Sequence, residues 1–183
     1  MKASAIVLSV AMAFALPTPA QVVDKEQLAK ELTLDTVPGH IENGAGKDTA
    51  GVLKLIGGFQ VALFRGDARA FADLFAEDAD FTNVVDHTIH GRDTIYTHHI
   101  DVFKGRPPTR TNNVLSYTVR FISPDVAAAE IKWDNKHTAG ADGISLPYRD
   151  GVWVSTMTRE KGQWYFKVVR NVFLNDGTKP TPR

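Results

Sequence analysis

The sequence predicts an α+β fold in which helices pack on one face of a curved antiparallel sheet. Three segments with helical periodicity lie between residues 49 and 103, and about four segments with strand-like alternation lie between residues 113 and 175. A block of helices followed by a block of strands favours this class over a parallel sheet with alternating helices. The clearest strands are at 148–175, where two β-branched and aromatic runs flank a turn at Gly162, as in a long antiparallel hairpin.

The composition indicates a single domain without a strong charge bias. The chain has 183 residues, with 21 Lys plus Arg, 21 Asp plus Glu and no Cys. This length suits one domain with a substantial core. The balanced charge argues against nucleic acid or an anionic membrane as the main partner. The lack of cysteine excludes disulfides, thiolate catalysis and cysteine metal sites.

The N-terminus has the pattern of a secretory signal peptide. Lys2 is followed by an apolar run at 5–16 and by small residues, which predicts cleavage near Ala20. The run is too short for a comfortable membrane span, although an uncleaved anchor is the alternative. We therefore expect a periplasmic or secreted protein with no membrane contact after cleavage. Residues 21–48 are predicted to be flexible or to form one short helix, and 176–183 to form a disordered tail.

Three helices are expected next. The first begins near Thr49 and ends at Gly66, and its apolar stripe contains Val52, Leu55, Ile56, Phe59 and Leu63. Asp67 caps a second helix. That helix is predicted to carry Phe71, Leu74 and Phe75. A third helix at about 92–103 has one face formed by Ile95, His99, Val102 and Phe103.

The strands alternate between apolar and polar residues. A short strand is predicted at 79–85, and longer strands at 113–121 and 126–134, before the C-terminal hairpin. In the last strand, strict alternation places Arg170 on the same face as Trp164, Phe166, Val168 and Val172. A charge in phase with apolar residues needs a partner. That partner is either a carboxylate of the chain, at Glu77 or Asp80, or an anionic group of a ligand in an apolar pocket.

The order of these elements and the residues at their junctions resemble a known superfamily. The segments that carry the resemblance are 64–67, 74–81, 89–95 and 162–164, with Asp125 at a strand start. They resemble the nuclear transport factor 2-like superfamily, with its cystatin-like cone fold. The nearest group is SnoaL-like, including a domain of unknown function associated with oxidoreductases of polyketide clusters. The resemblance implies a cone domain at 49–175, with three helices over the sheet, and a homodimer formed through the outer sheet face.

The resemblance also allows a comparison with ketosteroid isomerases, position by position. The general-base aspartate falls on Asn83, and an amide takes no proton at neutral pH. The oxyanion-hole tyrosine falls on Phe59, which has no donor. A pocket tyrosine falls on His99. The pocket is therefore expected to be similar in shape, with its reactive groups replaced.

These considerations give a set of candidate site residues. The catalytic candidates are His99, whose pKa suits acid–base work, and Asp86, which lies beside a histidine at a turn. The ligand-binding candidates are Phe59, Asn83, Trp133, Trp153 and Arg170. We expect no cofactor and no metal, because the pairs 87/90 and 98/99 do not place two histidines on one face. A metal site assembled across elements is the alternative.

Three functions are compatible with this pattern. The first is the binding of a small, largely apolar molecule with a polar end in the cone. The alternative is a cofactor-independent lyase, isomerase or cyclase that uses His99 as its acid–base, with Arg170 or Asn83 at an oxyanion. The second alternative is a structural dimerisation module whose cone is filled by its own side chains.

Overall fold

The computed structural model describes residues 34–104, 113–135 and 148–175. Within them, a short 3-10 helix at Leu34–Thr36 precedes three α-helices and seven β-strands. The helices are α1 (Thr49–Arg65), α2 (Ala68–Ala72) and α3 (Arg92–Lys104). The strands are β1 (Gly39–Glu42), β2 (Phe75–Thr82), β3 (Thr88–His90), β4 (Asn113–Ser123), β5 (Val126–Asn135), β6 (Arg149–Glu160) and β7 (Gln163–Asn175). The predicted signal peptide, the predicted helix within 21–33 and the predicted tail lie outside the described residues.

The strands form one curved sheet that does not close. Their order across the sheet is β1-β4-β5-β6-β7-β2-β3. The strands β4 to β7 pair antiparallel with their sequence neighbours, whereas β1 runs parallel to β4 and β2 runs parallel to β7. The helices pack against this sheet and bury its inner face, so the predicted α+β class is confirmed.

Local capping explains where the first two helices begin and end. Asp48 precedes α1, and its side chain accepts a hydrogen bond from the Gly51 amide at 2.9 Å. Gly66 ends α1 in the left-handed region, at φ 65°. Asp67 then caps α2 by accepting from the Ala70 amide at 2.9 Å.

Two segments differ from the prediction. The second helix ends at Ala72, and Phe75 already belongs to β2, where it pairs with Phe166 of β7. The expectation that the strand begins near residue 79 was therefore wrong. Within 21–48, the chain forms β1, whose pairing with β4 is preceded by a hydrogen bond from the Tyr117 amide to the Pro38 carbonyl at 3.1 Å. A partner distant in sequence thus orders a segment that was expected to lack a strand.

An aromatic cluster fills the space between the helices and the sheet. Phe59 of α1 is at its centre, with its ring centroid 4.9 Å from that of Phe71, 4.5 Å from Trp153 and 5.2 Å from Phe166. These four side chains are at most 2% exposed. Ring pairs at such tilted and edge-on angles contribute about 0.5–1.5 kcal/mol each beyond their area burial. The cluster fixes α1 and α2 on the inner sheet face.

An irregularity in β7 reverses the face that its C-terminal half presents. Met157 of β6 pairs with Phe166, but the preceding Thr156 pairs with Val168, so Lys167 is an extra residue in β7. Beyond it Val169 is buried, at 1% exposed. The side chain of Arg170 is 60% exposed. The prediction that Arg170 shares the inner apolar face was therefore wrong, because the extra residue shifts the alternation by one position.

Candidate ligand-binding site beneath the first helix

Small side chains lie on the inner face of the sheet where β5 and β6 pair. Ala129 of β5 is directly opposite Ser155 of β6, and Ala127 is opposite Met157. Ala127, Ala129 and Ser155 are all buried. Larger side chains at Ala127 and Ala129 would extend further towards the helices. This part of the inner sheet face therefore carries small side chains and one buried hydroxyl, that of Ser155.

Five buried side-chain polar atoms have no hydrogen-bond partner in the part of the chain that the structure describes. Two of them, Nε of Arg149 and Oδ1 of Asp150, lie at the start of β6, and the other three are Oε1 of Gln60, Nε1 of Trp153 and Oγ of Ser155. The last three residues are 3%, 2% and 3% exposed, respectively. A buried polar atom that lacks a partner costs about 1–3 kcal/mol. A fold that carries such atoms is expected to satisfy them with bound water or a ligand.

The three residues come from opposite sides of the interior. Gln60 follows Phe59 on the buried stripe of α1, and the Phe59 ring contacts Trp153 edge-on at 4.5 Å. Ser155 lies two positions beyond Trp153, on the same face of β6 and about 7 Å further along the strand. Residues with unpaired polar atoms therefore occur on both the helix and the strand that form this ring contact.

A second tryptophan extends the apolar wall. The indole of Trp133 stacks on that of Trp153 with centroids 6.0 Å apart and an interplanar angle of 25°. Its Nε1 donates to Oδ1 of Asn171 at 3.0 Å, so this indole is satisfied, unlike that of Trp153. Gly151 makes the arrangement possible, because a Cβ there would lie 2.5 Å from the Trp133 ring and 2.4 Å from the Val172 carbonyl oxygen.

His99 is buried among aromatic rings at the other end of the cluster. Its Nδ1 donates to the Ile95 carbonyl at 2.7 Å, one helical turn earlier in α3. Its ring centroid lies 4.2 Å from that of Phe71 and 5.1 Å from that of Phe81. Burial lowers the pKa of His99 to about 4, against a smaller opposing effect of the Ile95 carbonyl. The imidazole is therefore uncharged at neutral pH. In this form it is a weak base, and it cannot act as an imidazolium acid.

The remaining candidates lie together in a recess where the end of β2 meets the middle of β7. This recess has a volume of about 240 Å³ and is lined by Asn83, Asp86 and Arg170, among others. Arg170 and Asp86 form an ion pair at 3.4 Å, with 60% and 84% of their side chains exposed. Oδ1 of Asn83 accepts from the amides of Val85 and His87 at 3.1 and 3.0 Å. Asn83 therefore shapes the turn between β2 and β3.

The structure thus divides the predicted site residues into two groups. Phe59, Trp133 and Trp153 lie in the interior, whereas Asn83, Asp86 and Arg170 line the recess. The functional roles of all these residues, and of His99, stay predictions. Gln60 and Ser155 were missed, although Gln60 lies beside the stripe position of Phe59 and Ser155 is in phase with Trp153. The periodicity was the signal that could have found them.

Neither a metal cluster nor a membrane-spanning helix is found in the described ranges. In residues 34–104, 113–135 and 148–175 no three His, Cys, Asp or Glu side chains are grouped as metal ligands. None of the helices there has the length and apolar character to cross a membrane. His87 and His98 come together across elements, with ring centroids 5.8 Å apart.

Comparison with known proteins gives a family and a set of similar folds. The sequence profile of a family described as SnoaL-like domain matches residues 58–166. A comparison with curated protein sequences gives no significant match.

Solved structures with similar folds share little sequence identity with this chain. An uncharacterised protein with a cystatin-like fold from Caulobacter vibrioides is 23% identical, with a TM-score of 0.61 over 70% of this chain and 90% of that one. The hexachlorocyclohexane dehydrochlorinase LinA-type3 from Novosphingobium barchaimii LL02 is 16% identical, with a TM-score of 0.60 over 73% and 94% of the two chains. A cystatin-like domain of unknown function from Nostoc punctiforme PCC 73102 is 20% identical, with a TM-score of 0.58 over 68% and 76%. At these identities the likeness concerns the fold alone.

Proposed function

The chain belongs to the SnoaL-like domain family, within the nuclear transport factor 2-like superfamily that its sequence resembles, and we propose that it binds a small, largely apolar molecule with a polar end. The binding place is the interior between α1 and the inner faces of β5 and β6. The observation that carries the proposal is the set of unpartnered buried atoms on Gln60, Trp153 and Ser155. A ligand that pairs with them would offset a cost of several kcal/mol that the free protein bears.

The chemistry of the lining supports an apolar body for the ligand. The rings of Phe59 and Trp153 meet beside the unpaired atoms, and the second indole, of Trp133, stacks behind. Ligand pockets of this kind combine apolar and aromatic walls with a few polar groups that fix orientation. The interior matches this description more closely than the exposed recess at Arg170 does.

Acid–base catalysis is a second proposal. The His99 ring contacts Phe71, and Phe71 contacts Phe59, so the imidazole is continuous with the proposed binding place. A neutral imidazole can take a proton from a bound substrate, as a cofactor-independent lyase, isomerase or cyclase requires. The fold shared with a dehydrochlorinase is compatible with such chemistry but does not assign it, because a fold hosts many functions.

The outer face of the sheet supports a homodimer as part of the proposal. Val154, Val168 and Val172 are exposed there at 49%, 43% and 41%, on the adjacent strands β6 and β7. Val154 lies between Glu130 on β5 and Arg170 on β7. An apolar centre with an acid on one side and a base on the other suits a two-fold contact with a second copy, in which each basic side faces an acidic one. Export to the periplasm or the medium is proposed from the N-terminal signal pattern alone.

A screen of small compounds tests the binding proposal. Native mass spectrometry of the purified protein is expected to show a co-purified or added compound of low mass, and thermal shift a rise in melting temperature with apolar compounds that carry one polar group. Trp153→Phe keeps the ring wall and removes the donor, so it is expected to weaken binding. The matched control Trp164→Phe, at the far end of β7, leaves binding unchanged. If no compound binds, the interior is filled, and the dimerisation module is the better description.

A further inference from the structure

Two histidines from different elements lie side by side outside the aromatic interior. His87 is in the turn before β3 and His98 is on α3, and their ring centroids are 5.8 Å apart with an interplanar angle of 76°. His87 is exposed and His98 is half-buried, so small solutes can reach the pair. The prediction of no metal rests on pairs within single elements, 87/90 and 98/99, whereas these two rings meet across elements.

The separation of the rings is that of two imidazoles on one metal ion. A histidine nitrogen lies about 2.1 Å from a bound Zn²⁺ ion, and the ring centroid lies about 1.1 Å behind that nitrogen. Two imidazoles on one ion therefore have centroids roughly 5.2 Å apart at a tetrahedral angle and at most about 6.4 Å apart. The observed 5.8 Å lies between these values. The χ2 torsion of histidine has a broad energy profile, so an edge nitrogen of each ring can turn towards a shared point.

Both histidines are held in place by contacts of their own elements. The His87 amide donates to Oδ1 of Asn83 at 3.0 Å, and the His87 carbonyl accepts from the Asn83 amide at 3.0 Å. His98 precedes His99, whose buried ring packs on Phe71 with centroids 4.2 Å apart and fixes this part of α3. Ligands that are already close to the required separation lose little conformational freedom when an ion binds.

The surroundings of His98 favour the form that binds metal. Burial lowers the pKa of His98, and the neighbouring His87 lowers it further, against an opposing effect of Asp101. His98 is therefore mostly uncharged at neutral pH, and metal ligation requires the neutral imidazole. Asp101 pairs with Lys104 at 3.5 Å, and His99 is buried, so we count neither as a ligand.

We propose that His87 and His98 together bind one divalent transition-metal ion of the kind that imidazole prefers, Zn²⁺, Ni²⁺ or Cu²⁺. Water completes the coordination, because no group of three His, Cys, Asp or Glu side chains occurs in the described residues. The ion connects the turn between β2 and β3 to α3, and it stabilises the folded protein because it binds that state. Mg²⁺ and Ca²⁺ prefer oxygen ligands and do not bind there. This site is independent of the proposed ligand in the interior.

Titration of the untagged protein with Ni²⁺ tests the proposal. Isothermal titration calorimetry at pH 7 is expected to show one bound ion per chain. Thermal unfolding is expected to shift to a higher melting temperature with Ni²⁺ or Zn²⁺, and EDTA is expected to reverse the shift. Mg²⁺ at the same concentration is expected to produce no shift.

Variants of single histidines locate the ion. His87→Ala and His98→Ala are each expected to lose the Ni²⁺ binding and the Ni²⁺-dependent rise in melting temperature. His98→Phe keeps a ring at this position without a metal-binding nitrogen and is expected to lose both as well. His90→Ala is the matched control, because His90 is three residues from His87 and bonds instead to Asp80 at 2.7 Å. Circular dichroism shows whether each variant is folded.

The results either support the site or overturn it. Loss of Ni²⁺ binding in the folded variants of His87 and His98, with wild-type binding in His90→Ala, supports it. A wild-type protein that does not bind Ni²⁺ overturns it, as does binding that persists in folded His87→Ala or His98→Phe. Equal loss in His90→Ala also overturns it, because the ion would then be bound along β3 and not between two elements.

Discussion

Ser155 and Thr82 are buried hydroxyl residues in the same sheet, and the hydroxyl of Thr82 is paired whereas that of Ser155 is not. Oγ1 of Thr82 lies 2.9 Å from Oγ1 of Thr88 on the neighbouring strand. Oγ of Ser155 has no partner among the described residues. The free energy of unfolding should therefore respond in opposite directions when the two hydroxyls are removed.

Ser155→Ala is expected to raise the free energy of unfolding of the ligand-free protein by roughly 1 kcal/mol, because it removes an unpaired polar atom. Thr82→Val is expected to lower it by a similar amount, about 1 kcal/mol, because it removes the hydrogen bond with Thr88. Urea denaturation measures both. A loss of stability in Ser155→Ala would show that water already satisfies this hydroxyl in the free protein.

His99 makes stability depend on pH. Its pKa of about 4 in the fold lies below the ordinary 6.5, so the unfolded chain binds the proton more readily. The contribution of His99 to the free energy of unfolding is therefore fully present above pH 6.5. It is lost as the pH falls towards 4, and the total loss is roughly 3 kcal/mol. Urea denaturation at pH 7 and pH 4.5 is expected to show this loss in the wild type and a much smaller one in His99→Leu. Equal pH dependence in the two proteins would contradict the burial argument.

At the scale of the element, periodicity predicted the inner faces of α1 and β5. The stripe on α1 and the alternation of β5 both bury the expected residues, including Phe59 and Trp133. The extra residue in β7 reversed the face of Arg170, since no local sequence signal marks a one-residue shift. Local sequence also failed to reveal β1, because this strand is ordered by a partner about 80 residues further along the chain. Val102 was placed on the inner face of α3 but is 45% exposed.

The candidate site was also predicted only in part. Its aromatic members were predicted because large apolar side chains in phase with a buried face are visible in the sequence. Gln60 and Ser155 were not: periodicity could have marked both positions as buried, but the lack of a hydrogen-bond partner is seen only in the structure.

Gly151 of β6 allows the Trp133 indole to lie across the strand. Gly151→Ala is expected to lower the free energy of unfolding by about 1–3 kcal/mol, because the new methyl group would meet the Val172 carbonyl and the indole. Gly57 of α1 is the control: a Cβ there meets nothing within 4 Å. Gly57→Ala should raise stability by up to about 1 kcal/mol through helix propensity. Chemical denaturation compares the two, and an unaffected Gly151→Ala protein would mean that the indole is free to move.

At the scale of the whole molecule, the proposed homodimer depends on the outer face of β6 and β7. Val154→Glu places a charge at the centre of the apolar patch and is expected to shift the protein from dimer to monomer in size-exclusion chromatography with light scattering. Ile122→Glu changes a residue of β4 that is 65% exposed, more than Val154, and should leave assembly unchanged. A wild-type protein that elutes as a monomer at every concentration would remove the basis for the proposed homodimer.

The order of the strands has a consequence for how the protein is made. The parallel partner of β2 is β7, the last strand among the described residues, and that of β1 is β4. During synthesis, β2 leaves the ribosome some 80 residues before the strand that completes its pairing. A nascent chain of this protein therefore carries an incomplete sheet edge until β7 emerges, and a product truncated before residue 163 is open to chaperones and proteases.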